Sequence, residues 1–307
     1  MTQLQVQRYQ FNCQVQTPFR LNDYSGSMLR GAFGRALRKL ACVTKMDNCK
    51  ACLLYRQCTY PKIFETPAPT NADLQRFSAI PNPFIVEPPP MGERNLQVGE
   101  EFSFGLVLIG QAIPHLPLII YAWQEALQQG LGKSHAKAAL QSVIFEPGQL
   151  SEQVIYSSQQ GELLAEPQFE CPLLEPVDRL KLRLLTPLRI QQRGRVLSHA
   201  MQGRDFLMAL VRRYYLLQEF HSEHYQAPDF SALAQQAEGI QCKTQFHWYE
   251  WQRYSSRQKQ KMVFGGVLGE LELEGDLADF LPILALGQWL HVGNKTTFGM
   301  GRYLIDG

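Results

Sequence analysis

The chain has 307 residues, enough for two domains with separate cores, and a net charge of +2 with a pI of about 8.1, too mild for a generic polycation, so any nucleic-acid contacts must be local. Its longest apolar stretches, residues 113–123 and 280–290, are broken by Pro or polar residues and are too short to span a bilayer, so a soluble, cytoplasmic, non-membrane protein is expected. Seven cysteines, four of them crowded between residues 42 and 58, argue against a secreted disulfide framework.

Residues 5–16 alternate in polarity and predict a strand. From Ser25 to Cys42, the apolar residues Met28, Leu29, Ala32, Phe33, Ala36, Leu37 and Leu40 fall on one face of a helix. A Cys-rich excursion and a Pro-rich passage over 61–90 follow, then a predicted strand at 101–110, a helix at 114–129 and a strand at 138–145. The order βα, insertion, ββαβ predicts a ferredoxin-like unit. Residues 152–176 are polar and aperiodic, which puts a domain boundary there: an N-terminal domain over 1–165 with the Cys-rich insertion at 42–58, and a C-terminal domain over 166–307. The second half offers a strand at 180–190, a helix at 205–221, strands at 243–253 and 262–272, a short helix near 277–286 and a glycine-rich end. The expected fold class is α+β, two tandem ferredoxin-like (RRM-like, βαββαβ) domains, the second degenerate.

Four stretches carry chemistry. The first helix leaves Arg30, Arg35, Arg38 and Lys39 beside its apolar stripe, with Gly31 and Gly34 among them. Glycine weakens a helix by about 1 kcal/mol relative to alanine, so a closely packed backbone is expected there, RNA or the other domain; a solvated basic face is the plainer reading. Cys42, Cys49, Cys52 and Cys58 form C-x6-C-x2-C-x5-C. That pattern fits one structural zinc, with an iron–sulfur cluster or four free thiols as alternatives. The segment 246–261, FHWYEWQRYSSRQKQK, interleaves aromatics with Arg253, Arg257, Lys259 and Lys261, as a strand that stacks RNA bases would, although Trp248 and Trp251 also suit a core. Residues 291–303, HVGNKTTFGMGRY, combine Gly293, Gly299 and Gly301 with Asn294, Lys295, Thr296, Thr297 and Arg302. The glycines let backbone approach a ligand and the side chains donate to phosphate oxygens. A dinucleotide fold needs a helix and a strand after such a loop, and only six residues follow Gly301; a tight hairpin between two short strands is the alternative. Gly132-Lys133-Ser134 ends like a phosphate-binding loop, but Leu127 stands at the first glycine position.

The pieces YSGSMLRGAFGRALRKLAC, CKACLLYRQCTYPKIFE, LVLIGQAIPHLPLIIYAWQEALQQGLGK, LLTPLRI, WQRYSSRQKQKMVFGGVLGE and LPILALGQWLHVGNKTTFGMGRY resemble, in that order, the CRISPR repeat-cleaving endoribonucleases of the RAMP superfamily. The resemblance spans nearly the whole chain. It implies two ferredoxin-like domains with CRISPR repeat RNA across their cleft and the glycine loop, residues 293–301, near the scissile bond. It also implies metal-independent cleavage of pre-crRNA that leaves a 5′-hydroxyl and a 2′,3′-cyclic or 3′-phosphate. The sequence offers no carboxylate cluster of the kind a two-metal nuclease needs.

Cleavage by the ribose 2′-OH needs a base, an acid for the departing 5′-oxygen, and cations for the extra phosphate charge. Relatives commonly place a His on the first helix; here Arg35 stands there, and the first His is His115. The expected catalytic set is therefore Arg35, Tyr24, Lys39, His291 and Lys295, with His199 as a further imidazole. The expected RNA-binding set is Arg30, Arg38, Arg193, Arg195, Arg253, Arg257, Lys259, Gly293, Asn294, Thr296, Thr297, Gly299, Gly301 and Arg302. Expected partners are repeat RNA or crRNA and CRISPR effector-complex subunits. The alternative function is a catalytically inactive RAMP subunit that binds crRNA in an effector complex.

Overall fold

The structure is a computed structural model that describes residues 4–68, 80–148, 151–167, 169–192, 194–198, 201–255 and 260–306, with side chains left aside at 252–255 and 260–262. Two compact units emerge: residues 1–169 with 216–225, and residues 170–215 with 226–307. A single linear cut at 165/166 does not capture this division, because Leu216–Tyr225 clusters with the first unit.

In the first unit the chain runs β1 (Val6–Val15), β2 (Phe19–Leu21), α1 (Gly26–Ala41), α2 (Thr59–Phe64), β3 (Phe84–Glu87), β4 (Arg94–Leu96), β5 (Glu101–Ile109), α3 (Leu116–Gln129), β6 (Ala138–Glu146) and β7 (Gln153–Ser157). The main sheet has the order β3-β5-β1-β6-β7, antiparallel throughout, with β2 and β4 paired separately. Without the added edge strand β7 this is the split βαβ arrangement of the ferredoxin-like unit. Strand β3 lies inside the Pro-rich passage. Its four residues, FIVE, are all buried, and prolines on both sides hide it from a periodicity argument.

Alternation in β1 turns Tyr9, Phe11, Cys13 and Val15 toward α1 and α3. There Phe33 stacks on Trp123 with centroids 5.2 Å apart, and Phe104 lies 4.4 Å from the same indole. The opposite face of the strand is polar: Arg8 Nε donates to Glu87 at 2.8 Å, Arg8 Nη1 lies 3.0 Å from Glu146, and Asn12 bonds Ser142 at 3.1 Å. Glu87 is 2% exposed, so its charge depends on Arg8.

The second unit repeats the topology. It runs β8 (Arg179–Leu188), a short pair β9 (Gln191–Gln192) and β10 (Arg195–Val196), α4 (Gly203–His221), α5 (Phe230–Glu238), β11 (Gln241–Ser255), β12 (Gln260–Glu274), α6 (Leu281–Leu290) and β13 (Tyr303–Asp306). Its main sheet has the order β11-β12-β8-β13, again antiparallel. Its departures from the first copy are the β9–β10 pair and α5. The glycine-rich end is a connection from a helix to a strand, not the turn of a hairpin, because residues 281–290 are helical.

Along β8, Leu180, Leu182 and Leu184 point inward while Arg179, Lys181 and Arg183 point outward. The outward cations meet anions on neighbouring strands: Arg179 with Glu274 at 3.1 Å, Lys181 with Glu270 at 2.7 Å and Arg183 with Asp306 at 3.5 Å. Lys243 adds a contact to Glu274 at 3.3 Å. Exposed pairs of this kind add little stability, but they offset the charges of Arg179, Lys181, Arg183 and Lys243 on this face.

Among the described residues, no helix is long and apolar enough to cross a membrane. Replacing Arg8 by Met should lower unfolding free energy by about 3 kcal/mol in urea titrations, because it leaves the Glu87 carboxylate buried beside an apolar chain.

Candidate nucleic-acid interface

The loop from α6 to β13 is built around positive backbone angles. His291, Gly293, Lys295, Gly299 and Gly301 have φ of 57°, 83°, 65°, 83° and 74°. Glycine adopts such angles without a Cβ penalty; histidine and lysine do so only where surrounding contacts hold them. A side chain at Gly293 would put its Cβ 2.5 Å from the Arg189 carbonyl oxygen, and one at Gly301 would overlap the Val292 oxygen.

The contacts that hold the loop come from the end of β8. Asn294 N–H donates to Arg189 O at 2.7 Å and Gly301 N–H to Pro187 O at 3.0 Å, while Val292 N–H closes the loop on Gly301 O at 2.9 Å. Thr186, buried, uses its hydroxyl twice: Oγ1 donates to Gly299 O at 2.7 Å and accepts from Arg302 N–H at 2.8 Å. A single 3-10 turn, Thr296–Phe298, forms the tip between the left-handed Lys295 and Gly299.

This scaffold separates the expected loop residues. Asn294 and Lys295 are exposed at the tip, and Thr297 and Arg302 are half-buried. Thr296, Gly299 and Gly301 are buried, so they shape the loop from inside rather than forming its surface. His291 is fully buried, with Nδ1 3.1 Å from Met300 O. That position gives its ring a structural contact and no face open to a ribose, contrary to the catalytic role expected for it.

On α1 the basic residues also divide. Arg35 and Lys39 are exposed, Lys39 with its Nζ 3.8 Å from Glu125. Arg30 instead lies over the Phe64 ring at 4.2 Å from its centroid, a cation–π contact. Arg38 donates to the carbonyls of Met46 and Asp47, both at 2.7 Å, and so ties down the Cys-rich excursion. The close neighbour expected at the helix glycines is a ring from α2: a Cβ on Gly34 would overlap Phe64, whereas Gly31 meets only Arg35 Nη1 at 3.6 Å. Tyr24, just before the helix, is 4% exposed, so little of the side chain expected to donate a proton reaches solvent.

On β11, Trp248 is 42% exposed and Trp251 is 7% exposed, the split that opposite faces of a strand produce. Arg195 is exposed on β10. Arg193, His199, Arg257 and Lys259 lie outside the described residues, as does the side chain of Arg253.

Three residues that sequence reasoning passed over support the loop. Thr186 and Arg189 lie in the LLTPLRI segment, where alternating polarity stops at Leu184 and buried residues follow in succession. Arg189 accepts from Asn294 through its carbonyl and donates from Nη1 to Gly265 O at 2.8 Å. Arg213, buried in α4, donates from Nε to Leu290 O at 2.7 Å at the C-terminal end of α6, where a cation complements the helix dipole. Burial pulls its pKa down to about 9, still charged at neutral pH.

The four clustered cysteines are half-buried, form no disulfide, and line one cavity of about 260 Å³. Among the described residues, no three His, Cys, Asp or Glu side chains converge on one point as they stand.

Thr186→Val keeps the shape of the side chain and removes both hydroxyl bonds, leaving Gly299 O and Arg302 N–H short of a partner. We expect a loss of about 2 kcal/mol in denaturant unfolding, with Thr186→Ser within about 1 kcal/mol of the parent.

Comparison with known proteins agrees with this architecture. A family model described as an N-terminal domain matches residues 4–168, and the model described as CRISPR-associated endoribonuclease Cas6 matches residues 182–303. An uncharacterized protein of Archaeoglobus fulgidus is 23% identical over 292 residues, covering 94% of this chain and 93% of its own length. Among solved structures, a Cas6 product complex is 16% identical with a TM-score of 0.60, covering 98% of this chain and all of its own. Thermus thermophilus Cas6 is 17% identical with a TM-score of 0.55 and full coverage of both chains. The fold is thus the tandem ferredoxin-like arrangement of these structures, and residues 182–303, the part that holds the glycine loop, match the family model of the CRISPR-associated endoribonuclease Cas6.

Proposed function

We propose that this protein binds CRISPR repeat RNA and cuts pre-crRNA within the repeat, using the ribose 2′-OH as nucleophile with no metal ion in the chemical step. The observation that carries this reading is the glycine loop. It presents exposed Asn294 and Lys295 at a tip whose backbone is held by three residues of one strand end, with Lys295 itself in a left-handed conformation. A strained non-glycine residue that the surroundings over-determine is the kind of feature that accompanies a binding or catalytic site.

In the proposed reaction the 2′-oxygen gives its proton to solvent water and attacks the adjacent phosphorus, the P–O bond to the 5′-oxygen breaks, and that oxygen leaves as a hydroxyl after taking up a proton. The products are a 2′,3′-cyclic phosphate, which can open to a 3′-phosphate, and a 5′-hydroxyl. The step builds negative charge on the phosphoryl oxygens, which pre-positioned cations stabilise best. We assign that role to Lys295, exposed on the loop, whose ammonium would also protonate the leaving oxygen, while Arg35 and Lys39 are the exposed cations of α1. Arg195 and Trp248 are exposed and suited to phosphate and base contacts, and the salt-bridged face of the second sheet is not.

A second reading, an inactive RAMP subunit that holds crRNA in an effector complex, draws on two observations: α1 carries no imidazole, and His291 is buried. A labelled repeat RNA separates the two. Cleavage without added magnesium is expected, and one 2′-deoxy substitution just upstream of the cut should abolish it while binding persists. Lys295→Ala and Arg35→Ala should each slow cleavage by about 10²-fold, with a smaller change in affinity. Efficient cutting of the deoxy-substituted RNA would rule out the 2′-OH mechanism, and binding without any cleavage would establish the second reading.

A further inference from the structure

We propose that Cys42, Cys49, Cys52 and Cys58 form a four-thiolate site for one structural zinc ion. The first ground is the excursion that carries them. From residue 42 to residue 58 no side chain is buried, and Val43 and Leu53 are 82% and 87% exposed. A seventeen-residue excursion with no core of its own needs another tie, and small segments of this kind use disulfides or metals. No disulfide is present, and the excursion is held by single side-chain bonds, Arg38 to Met46 and Asp47 on one arm and Tyr55 and Arg56 to the carbonyls of Glu65 and Ala68 on the other.

The second ground is where the backbone puts the sulfurs. Cys42 follows α1, with its N–H on Arg38 O at 2.9 Å; Cys49 opens a 3-10 turn that Cys52 closes with its N–H on Cys49 O at 3.0 Å; Cys58 caps α2, with its N–H on Leu54 O at 2.8 Å. The four positions are fixed by short-range bonds at the ends of three helical turns, and all four line the same cavity. Their thiols do not yet converge. Cys52 Sγ sits 3.3 Å from Thr44 Oγ1 and Cys58 Sγ 3.8 Å from Ala41 O. Thiol hydrogen bonds are weak, so metal–thiolate bonds would replace them once the four sulfurs turn to one point in the cavity.

The donor set names the ion. Four sulfurs with no imidazole or carboxylate suit a soft, closed, tetrahedral site, which is structural zinc chemistry and leaves no open position for substrate. Binding releases the thiol protons and ties the end of α1 to the start of α2.

Elemental analysis of the full-length protein, purified without added metal, should find one zinc per chain. Cys49→Ser combined with Cys52→Ser should lose it and unfold at lower temperature, while Cys242→Ser should keep it. If the double variant does not fold, native mass spectrometry of the parent chain supplies the same answer: the mass of one zinc, lost on chelation together with new proteolytic cutting between residues 43 and 57. A metal-free chain that is as stable and protease-resistant as before, or iron with acid-labile sulfide in place of zinc, would overturn the assignment.

Discussion

The second unit depends on how the end of strand β8 satisfies the backbone of the glycine loop. A loop that is partly buried must pair its N–H and C=O groups, because leaving one unpaired costs as much as losing a hydrogen bond. Thr186, Pro187 and Arg189 supply five bonds to it within a few residues, and Pro187 contributes a carbonyl without adding a donor of its own. That pairing brings the loop so close to Arg189 that Gly293 has no room for a Cβ, while at Gly301 a Cβ would meet Val292 within the loop itself. The same closeness leaves the polar groups of Asn294 and Lys295 as the exposed part of the turn.

The anchoring extends into the core. Arg213 binds the last carbonyl of α6, and Tyr303, at the other end of the loop, donates its hydroxyl to Leu284 O at 2.7 Å within that helix. Both ends of the connection are thereby tied to one helix, so a shift of α6 would move the loop tip. Burying the Arg213 guanidinium is costly, and its pairing with a helix C-terminus offsets part of that cost.

Cationic side chains on α1 serve two ends. Arg30 covers an aromatic pair made by Phe64 and Phe84, whose rings stack 5.4 Å apart, and Arg38 holds the loop that follows the helix. Arg35 and Lys39 reach solvent. A helical wheel counts four like charges; contact with α2 and the Cys-rich excursion assigns half of them to structure. Charge also cancels on the outward face of the second sheet, where cations of β8 and β11 meet anions of β12 and β13.

Periodicity in the sequence determined the helices and most of the long strands, because each of those elements has one face in a core and one in water, and alternation records that difference directly. β1, α1, α3 and β6 were legible for this reason, and the βαββαβ order followed from them. β3 was not, since a four-residue strand buried on both sides between prolines has no alternation to read. The composition of the final loop marked it as unusual, and the family resemblance of its motif pointed to RNA. Only tertiary structure decided which of its residues face out. Burial of His291, Tyr24 and Thr296, and the role of Thr186, depend on contacts between residues a hundred or more positions apart or on packing under a strand end, and local sequence carries no record of such contacts.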